Sequence, residues 1–228
     1  REGEDERISV MLRLIAPPAP TPVHEAPIFA PLLARARAAL GLAAGAEGTS
    51  LSRDERLDAR HGHRTLRELL FVAGREAAYA RYPRLAALAR GRPAHEIALL
   101  LLAARKATDP AFAPPPPLEA EVRAAAARLA LTLGPDVGEA LAQAFEGAGA
   151  LRISAWRDAV VLTGVRAGLL LAGDLRAAMR VLDAEPPPGG DLTAAKQMGD
   201  LAAFAASANY VALRARLGLA VGTGADEP

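Results

Sequence analysis

The chain contains no cysteine. Disulfides, cysteine-ligated zinc, iron–sulfur clusters and thiol nucleophiles are therefore excluded. Aromatic residues make up 4% of its 228 residues, and there are only five isoleucines. Strands favour β-branched and aromatic side chains, so a β-sandwich, a β-barrel or a doubly wound α/β sheet is not expected. Lysine is nearly missing, with Lys106 and Lys196 alone, and Asn209 is the one asparagine. The longest uninterrupted apolar run, Ile97 to Ala104, has eight residues, against the roughly 20 that a membrane-spanning helix needs. No Gly-x-x-x-x-Gly-Lys-Ser/Thr phosphate loop, no Gly-x-Gly-x-x-Gly and no Gly-x-Ser-x-Gly elbow occurs. The usual motifs of nucleotide binding and of serine hydrolysis on an α/β sheet are thus absent.

What the chain does have is alanine and leucine, 55 and 34 residues, well over a third of the total. Both are strong helix formers, so the expected fold class is mainly α, a multi-helix domain with at most one short strand near the N-terminus. Apolar residues reach 51% and the formal net charge is +1, which excludes disorder for the bulk of the chain. Arginine supplies nearly all the positive charge, but it is balanced by acids and forms no long basic run. A nucleic-acid partner is therefore not expected. The excess of Ala, Arg, Gly and Pro reads as a GC-rich bacterial genome, and the expectation is a cytoplasmic protein with no membrane span. The first residue is Arg1, and nothing at the start resembles a signal peptide. The expectation is a fragment of a longer protein, or numbering that starts after a cleavage.

Along the chain, residues 1–27 read as an N-terminal arm and proline-rich linker. The segment Ile8 to Ile15 is short and mostly apolar and predicts one edge strand or an extended arm, followed by Pro17, Pro18, Pro20 and Pro22. Residues 28–218 read as a helical body and 219–228 as a flexible tail. Helices are expected at about 31–40, 65–82, 94–107, 118–132, 136–147, 153–171, 174–182, 192–206 and 207–217, from apolar spacing and from punctuation by Pro83, Pro93, Gly134, Pro135, Gly173 and Asp174. Residues 45–64, with Asp54, Glu55, Asp58, His61 and His63, read as a polar surface loop.

One segment carries more than a helical pattern. Glu68 to Tyr79 reads Glu-Leu-Leu-Phe-Val-Ala-Gly-Arg-Glu-Ala-Ala-Tyr. It resembles the active-site helix of the HtpX-type zinc metallopeptidases, in which Glu-Leu, five residues and then His-Glu-x-x-His follow one another. In that register Glu68 and Leu69 match, Arg75 and Tyr79 stand where the two zinc-binding histidines belong, and Glu76 matches the general base. The family's downstream helix carries Glu-x-x-x-Asp followed by Arg-x-Gly. Here Arg166, Ala167 and Gly168 match the second part, while Val161 stands at the third zinc ligand and Val165 at the aspartate. The resemblance covers about residues 65–182 and is similar to degenerate domains at the C-terminus of bacterial tetratricopeptide-repeat proteins.

The chemistry decides what that resemblance implies. Two histidines four residues apart share a helix face, and catalytic zinc takes three protein ligands and a water. A guanidinium carries a fixed positive charge, a phenol stays protonated near neutral pH, and a valine side chain has no lone pair. With positions 75, 79 and 161 lost together, the implied molecule is zinc-free and non-catalytic, with no site residues, no metal and no cofactor. Its implied role is an interaction or scaffolding module, with a protein partner such as a tetratricopeptide-repeat region or a larger assembly. The alternatives are a surviving metal-dependent hydrolase that uses Glu76, His61 and His63, and a helical bundle unrelated to peptidases. Plainer readings accompany each residue. Glu76, Arg75 and Tyr79 read as an interior polar cluster whose members satisfy one another. His61 and His63 read as a solvated loop, and Glu96 beside His95 as a helix-start acid. His24 falls in the linker. Arg35, Arg37, Arg84, Arg90 and Arg92 read as a solvated face that could also anchor a protein interface.

Overall fold

A computed structural model of the chain describes residues 2–16, 29–41, 64–146, 148–185 and 192–219. Eleven α-helices run through these residues. They are α1 Glu2–Ile15, α2 Phe29–Ala39, α3 Leu66–Ala80, α4 Pro83–Gly91, α5 Ala94–Thr108 and α6 Glu119–Ala130. After them come α7 Pro135–Phe145, α8 Ile153–Ala172, α9 Leu175–Ala184, α10 Ala194–Ala205 and α11 Ala208–Arg216. A 3-10 turn, Pro116–Leu118, precedes α6. The protein is mainly helical, and no strand occurs among the described residues. No helix among them is long and apolar enough to cross a membrane. The polar loop before Arg64, the prolines at 17–22, the loop at 186–190 and the tail from residue 220 lie outside the described residues, as do His24, His61 and His63.

The punctuation works as local chemistry dictates. Thr65, Asp174, Thr193 and Ser207 are N-caps whose side-chain oxygens accept a backbone N–H of the following turn, which satisfies one of the orphan donors at a helix start. Pro135 stands in the first turn of α7, where its missing N–H costs nothing. Pro83 opens α4 rather than bending α3, so Leu85 to Leu88 belong to a new helix.

The N-terminal segment corrects the expectation of an edge strand or arm, because residues 2–15 form α1. Ile8, Met11, Leu12 and Ile15 recur at spacings of three and four and are all buried, which is the stripe of an amphipathic helix rather than strand alternation. Pro17 and Pro18 stop continuation.

The chain divides into two compact units, Arg1–Ala19 with Arg84–Val160, and Pro20–Pro83 with Val161–Pro228. This division cuts across the expected arm, body and tail. It falls within α8, whose halves are taken with their own units. In the first unit α5 packs on α6 and α7, and α1 on α5 and α7. Ile97, Leu101, Val122, Leu141 and Trp156 are buried there with the α1 stripe. The Trp156 indole N–H donates to Ser9 Oγ at 2.9 Å, so the largest buried side chain also satisfies its one polar atom. After α5, Lys106 Nζ donates to the carbonyls of Pro110 (2.6 Å) and Phe112 (2.7 Å), which ties the proline-rich connection to its helix.

In the second unit α2 and α9 pack on α3, α10 on α9, and α11 on α10. Ala36, Ala73, Ala77 and Leu171 form one buried cluster. The second half of α8 crosses α3 at very close range, and glycines make the crossing possible. A Cβ on Gly164 would overlap the Tyr79 ring. One on Gly168 would lie 2.5 Å from the Phe71 carbonyl oxygen, and one on Gly74 would lie 2.9 Å from that of Ala167. The end of α8 is capped from two sides, by Arg67 Nη1 on the Ala172 carbonyl (2.8 Å) and Arg214 Nη1 on the Leu170 carbonyl (2.6 Å). Gly173 then turns the chain with φ +62°, a conformation that suits glycine.

Two glycine substitutions separate this crossing from ordinary helix propensity. Gly168→Ala forces a methyl against backbone and is expected to destabilise by about 1–3 kcal/mol. Gly199→Ala in α10 meets nothing within 4 Å and is expected to stabilise by up to about 1 kcal/mol. Urea unfolding followed by circular dichroism measures both.

Candidate functional site

The segment with the peptidase-like spacing is α3, and its start is set by a reciprocal cap. Thr65 Oγ1 accepts from the Glu68 N–H, and Glu68 Oε2 accepts from the Thr65 N–H at 2.8 Å, a capping box. Glu68 Oε1 also accepts from Arg180 Nε of α9 at 2.7 Å. That bond is the largest influence on the Glu68 carboxyl. With the Thr65 bonds and the Arg180 charge it outweighs partial burial and holds the group below its ordinary value.

Two turns later Arg75 is buried, with 8% of its surface exposed. Its guanidinium grips Glu185 as a fork, Nη1 to Oε2 at 2.6 Å and Nη2 to Oε1 at 3.1 Å. Glu76 Oε1 is 3.4 Å from Nε, and the guanidinium stands over the Phe71 ring, 5.7 Å from its centroid. Arg64 Nη2 reaches the same Glu185 at 3.2 Å. Burial by itself would make Arg75 easier to deprotonate, but Glu185 and Glu76 more than offset it and hold the group above its ordinary value. Arg75 is thus a permanent buried cation. Its Nε–H has no hydrogen-bond acceptor in line.

Tyr79 lies one turn beyond Arg75 on the same face. Its hydroxyl donates to the Val161 carbonyl of α8 at 3.0 Å, and its ring fills the space left by Gly164. Positions 79 and 161 therefore meet, through the Val161 backbone. Arg75 and Tyr79 share a helix face, and Tyr79 touches the backbone of Val161. Farther along α8, Arg166 pairs with Asp200 of α10 at 2.8 Å from Nε to Oδ2. Asp200 is the leading influence that raises the Arg166 guanidinium above its ordinary value.

The expectation that Arg75, Glu76 and Tyr79 form an interior polar cluster needs one correction. They do not satisfy one another by themselves. The partner that matters most for Arg75 is Glu185, which the sequence reading did not single out, and Arg64 joins it. No local pattern marks Glu185, because the pair spans 110 positions and forms only once α9 folds back along α3. Elsewhere the plainer readings describe the structure. Glu96 is in the first turn of α5 and pairs with Arg92 Nη1 at 2.8 Å, and Arg84, Arg90 and Arg92 are exposed.

The donors at the three family ligand positions do not fit zinc. One is a cation already engaged by two carboxylates, one is a phenol acting as a hydrogen-bond donor, and one offers only a backbone carbonyl that accepts that hydrogen. Among the described residues no group of three or more His, Asp or Glu is arranged to hold a metal ion. Comparison with protein-family models, with curated proteins and with solved structures finds no match.

The bonds on α3 generate two expectations. Glu68 titrates lower in the folded chain than its ordinary 4.5. Its contribution to stability is complete above that value and is lost as pH falls through the folded one. Unfolding curves recorded from pH 6 down to about pH 3 should therefore decline more steeply for the parent chain than for Glu68→Gln. Tyr79→Phe removes one buried bond and should cost about 1 kcal/mol at any pH below the tyrosine range.

Proposed function

We propose that this chain is a peptidase-like helical body without metal chemistry, which serves as an interaction or scaffolding module in a cytoplasmic bacterial protein or assembly. The supporting observation is that two of the three positions to which the resemblance assigns zinc ligands, 79 and 161, lie 82 apart in sequence and are in contact, with Arg75 one turn away on the same face of α3. Arg75 and Tyr79 bond inside the protein, and Val161 contributes only its backbone carbonyl. A buried ion pair and a phenol–carbonyl bond hold α3 against its neighbours there, with no lone-pair set left to activate a water. What remains is a helical surface, and a surface acts by docking. The partner is a protein, a tetratricopeptide-repeat region or the assembly that contains one.

Metal analysis tests the reading from both sides. The purified chain, incubated with zinc and desalted, should retain well under one equivalent. The triple variant Arg75→His, Tyr79→His, Val161→Glu places three donors at these positions and should take up about one equivalent. Stoichiometric zinc in the parent chain, lost on Tyr79→Phe, would overturn the loss of metal chemistry. A triple variant that folds but takes up no zinc would overturn the peptidase-like geometry.

A further inference from the structure

Two guanidiniums that close on one carboxylate make a ligand geometry as well as a structural one. Glu185 receives Nη1 and Nη2 of Arg75 at 2.6 and 3.1 Å and Nη2 of Arg64 at 3.2 Å. Bidentate and convergent arginine donors are how proteins recognise carboxylates from outside. The Arg75 Nε–H, buried and without an aligned acceptor, adds donor capacity that Glu185 does not use. Side-chain exposure falls from 26% at Glu185 to 12% at Arg64 and 10% at Arg75, so Glu185 is the most exposed of the three. Glu185 is also the residue that ends α9, with extended backbone at φ −101° and ψ 143°. Its carboxylate arrives from beyond the last turn of the helix.

We propose that Arg64 and Arg75 form a carboxylate-binding site that the chain fills with its own Glu185, and that an acidic side chain of a partner protein takes it by displacing Glu185. The site stands on these distances and needs no peptidase ancestry. With Glu185 out, two guanidiniums face one nearby carboxylate, Glu76 at 3.4 Å from Arg75 Nε, so the described charges favour an anion there. Glu185 is held beside the arginines by the end of α9, and a group positioned within the fold competes at an effective concentration far above that of any dissolved carboxylate. A single free carboxylate therefore does not displace Glu185, and a partner does so only by adding contacts of its own.

Removing the internal occupant tests the site. Glu185→Ala should be less stable than the parent chain and should be stabilised by sodium acetate in a saturable way, beyond sodium chloride at equal ionic strength. With a dissociation constant of about 10 mM, acetate at about 100 mM raises the folding constant roughly tenfold. The parent chain should respond to the two salts alike, and Arg64→Ala combined with Glu185→Ala should need several-fold more acetate. If Glu185→Ala does not fold in chloride, refolding in acetate is the same test, with recovered helicity expected. A short glutamate-rich peptide should bind Glu185→Ala at least tenfold more tightly than acetate, and its glutamine counterpart should not bind. Acetate acting no better than chloride would overturn the site. A peptide no tighter than acetate would overturn the acidic partner and leave a free small carboxylate as the ligand.

Discussion

The second unit depends on how closely α3 and the second half of α8 approach. At Gly74, Gly164 and Gly168 there is no room for a methyl group, so rings and backbone meet directly. Phe71 rests on Gly168 and Tyr79 on Gly164. This contact orders everything else on α3. With the apolar face of the helix committed to α8 and to Ala36 of α2, Arg75 is carried inside the protein rather than into water. A buried guanidinium without a partner would cost several kcal/mol, so a carboxylate must follow it in. Glu185 supplies it from the end of α9, and Arg64 shares it from the entry to α3.

Magnitudes separate the charges that hold this arrangement from those that decorate it. Breaking a buried pair by removing one partner costs about 3–5 kcal/mol, because the other charge is stranded. An exposed pair four residues apart on a helix contributes about 0.3–0.5 kcal/mol. Arg75 with Glu185 belongs to the first kind and Arg92 with Glu96 to the second, although their shortest distances, 2.6 and 2.8 Å, are nearly equal. Burial sets the difference. The arginines at the end of α8 act in a third way. Arg67 and Arg214 bind carbonyls that a helix terminus leaves without donors, which suits a cation near the negative end of the helix dipole.

Helices and their ends were legible in the sequence because their causes are local. Thr65, Asp174, Gly173 and Pro135 each act within one turn of where they stand, and the spacing of Leu and Ala follows from helical geometry alone. The first segment misled for a local reason too. Eight mostly apolar residues between a charged run and a set of prolines look like a strand, while the decisive feature, Ile8, Met11, Leu12 and Ile15 at helical spacing, is carried by only four positions. Glu185 could not be read at all. Its role arises from packing between segments more than a hundred positions apart, and a lone acid before a proline run has no local signature. The division into two units within α8 is equally silent in sequence, since a helix carries no mark where its neighbours change.

Several letters that match the peptidase pattern have sufficient causes in packing. Glu68 is the third residue of a capping box and a partner of Arg180. Gly168 is required by the Phe71 carbonyl. Arg166 serves Asp200. Any helix crossing of this closeness would select a small residue at 168, and any helix begun by Thr65 would favour an acid three residues on. These matches therefore carry little weight for ancestry, because the fold would keep them for its own reasons. The mismatched positions have local causes as well. Tyr79 reaches the Val161 carbonyl because its ring lies on Gly164, one turn farther along α8, so that contact too follows from the crossing. Arg75 is the exception in cost, because a buried guanidinium needs Glu185 to offset its desolvation where an apolar side chain would need no partner.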